Sequence, residues 1–219
     1  LSQKQIVERA RQAIQEGEKW HSKVNMREIV FGFNDGTVST LALLAGVTGG
    51  NLTLLSVLIA GFAAVIGGGI SMAVGAYISS KSEIEHHRAV IETERKEVKE
   101  LPDVESEELR QLYQRKAKFT KQELDMIVGR ITANEKTWVD TMMREELKLS
   151  GKFQSPLKSA LVVGAATIIG SLIPILTFFF MPVKDAIIGS LLVSAIALFI
   201  TGALEAKATV GSWIKKGIQ

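Results

Sequence analysis

The sequence predicts an all-α protein: a polytopic transmembrane helical bundle with a cytosolic helical insert between its second and third membrane helices. Three observations predict it. Four stretches are apolar over roughly 20 residues, the length at which a helix crosses the hydrocarbon core of a bilayer. Between the second and third, residues 81–155 are dense in Glu, Lys and Arg, and a segment so charged cannot enter lipid. No run of alternating apolar and polar residues reads as a strand. Composition agrees: 47% of the 219 residues are hydrophobic and 22% charged, so the two kinds must be segregated along the chain.

The elements follow in order. Residues 1–28 read as a charged amphipathic helix with Ile6, Val7, Ala10, Ala13 and Ile14 as its apolar stripe, lying on a membrane or on the protein itself. Charge throughout this segment excludes a secretory signal, and the chain opens on Leu1 without Met, as a trimmed chain would. Residues 29–80 hold membrane helices 1 and 2. The first, 29–50, is apolar apart from Asp35 and small polar residues; the second, 52–80, carries no charge and is longer than a bilayer requires. The insert, 81–155, reads as helices over 81–100, 105–116, 121–132 and 134–149, broken at Pro102 and stopped near Gly151. Residues 156–219 hold membrane helix 3 (157–180, with a kink expected at Pro174), membrane helix 4 (186–204, on the short side) and a tail.

Lys and Arg set the orientation. The link at 49–51 has none and the link at 181–185 has only Lys184, so the insert and both termini are expected in the cytosol. A net charge of +3, with no basic patch interleaved with aromatics, gives no reason to expect a nucleic-acid partner. The absence of Cys excludes disulfides and thiolate metal sites.

The chemistry lies in carboxylate spacing. Glu94 and Glu97 are i and i+3 on one predicted helix, Glu105 and Glu108 are i and i+3 on the next, and Met142 and Glu146 are i and i+4 on a later one. Three helices could aim these pairs at one point, as bundles do when they build carboxylate metal sites. Carboxylates suit Fe2+ and Mn2+, and a thioether adds affinity for softer ions. The alternative is a solvated face on which Arg95, Lys96 and Lys99 pair with these acids, with Met142 and Met143 as core packing. Glu83 to His86 is half of a di-iron E-x-x-H motif without a second copy, so His86 and His87 read as solvated, and His21 as interfacial. Asp35 is the one acid embedded in the first apolar stretch; an intramembrane acid marks function, or else caps a helix start. Met72 lies among Gly61, Gly67, Gly68, Gly69 and Gly75, either as packing or as a weak, exchangeable ligand.

The stretches "REIVFGFNDGTVSTLALLAGVTGG", "GGGISMAVGAYISSKSE", "LPDVESEEL" and "WVDTMMREELKL" together resemble the vacuolar iron transporter family of Fe2+/Mn2+ exporters, from about Trp20 to the end. The resemblance implies a transporter and no enzyme. It implies a homodimer in the lipid bilayer that exchanges divalent metal for protons along a path between subunits. By motif position the insert ligands would be Glu94, Glu97, Glu105, Glu108, Met142 and Glu146, with Met143 as a near substitute, and the path residues would be Asp35 and Met72. Fe2+ would be the cargo, with Mn2+, Co2+ or Zn2+ possible. The chain departs from the pattern twice. Ala64 stands where the family carries a membrane glutamate, and the sequence stops at "ALEAKATVGSWIKKGIQ" without the expected fifth membrane helix, as a truncated chain or one with a different C-terminus would. The Ala64 departure favours an alternative, a non-transporting membrane-anchored metal sensor or ferritin-like iron store. A purely structural membrane protein with a solvated insert is a third reading.

Overall fold

A computed structural model describes residues 26–50, 53–147 and 155–208, with Gln5 and Glu8 alone before them. The amphipathic helix expected over 1–28, His21, Gly151 and the tail beyond 208 fall almost wholly outside the described residues. Seven α-helices are described: α1 (Met26–Gly49), α2 (Leu54–Glu100), α3 (Pro102–Lys116), α4 (Lys121–Thr132), α5 (Glu135–Glu145), α6 (Pro156–Leu176) and α7 (Val183–Ala208). A 3-10 turn, Thr177–Phe179, follows α6, and no strand occurs among the described residues. Four helices are long and apolar enough to cross a membrane: α1, α2, α6 with its 3-10 turn, and α7.

Four boundaries differ from expectation. The second membrane helix and the first insert helix are one helix of 47 residues, α2. Nothing between Tyr77 and Glu100 breaks a helix, and the residue before Pro102 is the first that cannot continue one; Leu101 leaves helical geometry at φ −131°. Pro102 then starts α3 itself, three residues before the expected Glu105, because its fixed φ and missing N–H suit a first helical turn. The fourth membrane helix is also longer than expected, 26 residues against 186–204, beginning straight after Pro182. α5 ends earlier than expected: Asn134 caps its start, and Glu146 closes it by donating its N–H to the Met142 carbonyl.

The chain forms two compact units, Leu1–Gly75 with Ser159–Gln219, and Ala76–Lys158. In the first, α1 and α6 meet through small residues. A Cβ on Gly32 would stand 2.6 Å from the Val163 carbonyl oxygen, and one on Gly36 would overlap the Thr167 carbonyl. Such an interface lets hydroxyls reach backbone, and both helices use it. Ser171 Oγ donates to the Gly36 carbonyl at 3.1 Å, and Thr37 Oγ1 donates to the Gly170 carbonyl at 3.1 Å. The second bond has a cause in the sequence: Pro174 has no N–H to give Gly170, so the Thr37 hydroxyl takes the carbonyl that the proline leaves open. We expect Gly36→Ala to destabilise this unit by about 1–3 kcal/mol, because backbone cannot yield as a side chain can. A lowered melting temperature in detergent checks it; an unchanged one would mean that α1 and α6 do not meet at Gly36.

The second unit surrounds a core of Val98, Leu109, Val128, Trp138, Val139, Met142 and Met143. Its helices carry their own caps. Thr120 accepts the Glu123 N–H while Glu123 accepts the Thr120 N–H, a capping box at the start of α4. Thr120→Ala should therefore lower stability by about 1 kcal/mol, read as a shifted urea midpoint at constant slope.

Candidate metal centre

The second unit brings the expected acids together. Glu94 lies near the end of α2, and Glu105 in the first turn of α3 beyond the Pro102 corner; both carboxylates are buried, at 4% and 5% exposure. Met142, fully buried on α5, belongs to the same core. Glu97, Glu108 and Glu146 are exposed around them. Three of these carboxyls, Glu94, Glu105 and Glu146, are pushed up by burial and by the charges of neighbouring acids. The Glu94 carboxyl is pushed up to about 7 by burial first, then by the charges of Glu105, Glu146 and Glu97, and it is close enough to Glu105 to share a proton. Burial, then Glu108, Glu97 and Glu146, raises Glu105; burial, then Glu108 and Glu97, raises Glu146.

No cation among the described residues forms an ion pair with this cluster. Arg95 pairs with Glu92 at 3.0 Å and Lys99 with Glu135 at 3.1 Å, away from the five acids, and none of those acids has an ion pair among the described residues. Glu94 Oε1 and Glu105 Oε2 are buried without a hydrogen-bond partner. Carboxylate oxygens in that condition suit a hard divalent cation, and Met142, buried in the hydrophobic core of the same unit, carries a softer donor. The acids converge without closing: among the described residues no three His, Asp or Glu groups stand in a metal-ligating arrangement. Met143, also buried, packs in the core with Met142.

The remaining candidates divide. His86 is exposed, as expected, but His87 is not solvated: it is 7% exposed, on the α2 face that carries Ile91, Glu94 and Val98. The expectation failed because it was drawn from nearness to a membrane exit, whereas α2 continues as a core helix with an inward face. In the first unit, Asp35 is exposed on α1, with Ser39 Oγ 3.5 Å from Oδ1, and Met72 is half-buried on α2, two turns from Ala64. One carboxylate escaped the sequence reading. Glu28 accepts the Ser159 hydroxyl at 2.7 Å, and its other oxygen is buried and unpartnered. The signal was present in the charge at the head of an apolar helix, seven residues before Asp35.

Four helices long and apolar enough to cross a bilayer define the class as a polytopic membrane protein. The chain belongs to the VIT family, whose model matches residues 26–219. It is 31% identical over 210 residues to vacuolar iron transporter 1 of Tulipa gesneriana, covering 94% of this chain and 85% of that one. It is 34% identical over 179 residues to vacuolar iron transporter 1 of Arabidopsis thaliana, covering 81% and 71%. Protein CCC1 of Saccharomyces cerevisiae is 27% identical over 189 residues, covering 84% and 58%. Membership places the chain among transporters and not among enzymes.

Proposed function

We propose that this chain moves Fe2+ out of the cytosol across a membrane, in exchange for protons. The insert, with Glu94, Glu97, Glu105, Glu108, Met142 and Glu146, collects the ion on the cytosolic side, where both termini also lie. Asp35 and Met72 line the path. The observation that carries this reading is the buried Glu94 and Glu105 carboxyls ringed by three further acids, none of the five with an ion pair among the described residues. Mn2+, Co2+ and Zn2+ fit the same donors, so selection among them rests on geometry and supply.

Asp35 supports a homodimer. It is exposed on a helix long and apolar enough to span a bilayer, and a carboxylate does not face lipid. A second copy meeting this face would enclose a path between subunits. Proton exchange follows from the same chemistry, because carboxylates must lose protons to hold metal. The relatives named vacuolar iron transporters suggest an intracellular compartment as the destination.

The test is Fe2+ and Mn2+ uptake into vesicles carrying the full chain, with an Asp35→Asn variant beside it. Saturable uptake that acidifies the donor side and is lost in the variant is expected. Ala64 favours a second reading, a membrane-anchored sensor or store, in which the protein binds metal and no uptake occurs.

A further inference from the structure

The membrane unit buries hydroxyls that its packing does not use. Ser190 and Ser194, one turn apart on α7, are both 0% exposed, and neither Oγ has a hydrogen-bond partner among the described residues. A helical serine ordinarily returns its hydroxyl to the carbonyl four residues back. For Ser190 that carbonyl is Ala186, which already accepts the Thr177 hydroxyl at 2.9 Å besides its place in the helical ladder.

The register of α1 against α7 shows what lies level with them. Leu44 and Ala186 share one apolar cluster, and Ala45, Thr48 and Gly49 share a cavity of about 620 Å³ with Val183, Asp185 and Ile187. The two helices are therefore antiparallel here. Counting 1.5 Å of rise per residue back along α1 and forward along α7 from Leu44 and Ala186 sets Thr40 at the height of Ser190 and Thr37 near that of Ser194. Thr37 and Thr40 are also buried, at 0% and 1% exposure, and the Thr37 hydroxyl is held by Phe33 and Gly170 carbonyls, so it does not serve the serines. Just beyond, Asn34 Oδ1 is buried and unpartnered as well. At about 100° per residue, Thr37, Thr40 and Leu44 lie across α1 from Asp35. Asp35 is exposed, while this seam is closed.

We propose that the seam between α1 and α7 holds water and carries protons, apart from the face on which Asp35 handles the metal. This rests on the proton exchange proposed above. Several unpartnered polar atoms in one enclosed place are what binds internal water. Waters bonded to Ser190, Ser194 and Asn34 form a row in which each oxygen accepts one proton and releases another, leaving no net change behind.

The test uses the full chain in vesicles and a Ser190→Ala, Ser194→Ala variant, with Ser194→Ala alone if the double variant misfolds. Radiolytic hydroxyl-radical labelling reads water beside Leu44, which is itself 0% exposed. Labelling of Leu44 that the variant loses, with fewer protons exchanged per metal ion and unchanged metal binding, is the expected result. Absent labelling, equal labelling in both proteins, or an unchanged proton-to-metal ratio would overturn the proposal. If the parent takes up no metal, the transport reading fails by itself. Labelling then still decides whether the seam is wet, and a wet seam without proton flux ends the proposed route.

Discussion

Replacing Glu94 by Gln should strengthen the fold and weaken metal binding at once. The wild-type carboxyl is buried at 4% exposure, surrounded by Glu105, Glu146 and Glu97, with one oxygen unpartnered. The amide is nearly isosteric, carries no charge to repel its neighbours, and can donate to Glu105. Stability of the metal-free chain should rise by about 1–2 kcal/mol, since a desolvated like charge has been removed. Metal affinity should fall about 100-fold or more, because an amide oxygen is a far poorer donor to a hard divalent cation than a carboxylate. Anaerobic titration of the purified full chain with Fe2+ measures the second effect, and denaturant unfolding the first. A structural carboxylate would give the reverse pattern, a less stable protein with unchanged metal binding, and that pair of results would sink the site.

Acidity should move stability and metal binding in opposite directions. Glu94 titrates near pH 7 in the folded chain and near 4.5 as an ordinary carboxyl, while Glu105 and Glu146 are shifted the same way. Between those values the folded state holds more protons than the unfolded state. The stability contribution is then fully present below about pH 4.5 and is lost as pH rises through 7. For Glu94 this amounts to about 3 kcal/mol. Metal competes with the same proton, so affinity should weaken by up to about tenfold per pH unit below 7 and level off above it. Melting at several pH values without metal, in the parent and in Glu94→Gln, isolates the first effect as their difference. Titration in two buffers of unlike ionisation enthalpy counts the protons that metal displaces. A difference curve that is flat from pH 5 to 8, or no proton release at pH 6.5, would refute the shared-proton cluster.

Much of this site was legible because helical spacing is a local property. The intervals Glu94 to Glu97, Glu105 to Glu108 and Met142 to Glu146 put each pair on one face wherever a helix forms. Spacing could not say which member of a pair turns inward. The structure buries Glu94, Glu105 and Met142 and leaves Glu97, Glu108 and Glu146 exposed. Nor could it say where the nearby cations go. Lys99 reaches Glu135, 36 residues away, and among the described residues no ion pair compensates the acid cluster. His87 shows the same limit: two adjacent histidines look alike in sequence, yet α2 turns one toward solvent and the other toward the core.

The sequence by itself determined the membrane helices and the charged insert, because hydropathy over a helix length depends only on which residues are contiguous. It also determined the stop of α2 before Pro102, where the proline forbids the helix sterically. Tertiary structure alone decided the pairings. Only packing could show that Thr37 on α1 takes the Gly170 carbonyl that Pro174 leaves open, or that the Thr177 hydroxyl occupies the acceptor that Ser190 would ordinarily use. A hydrogen bond between residues 133 positions apart leaves no trace in local sequence, and the unpartnered groups that packing creates appear only when every other partner has been assigned.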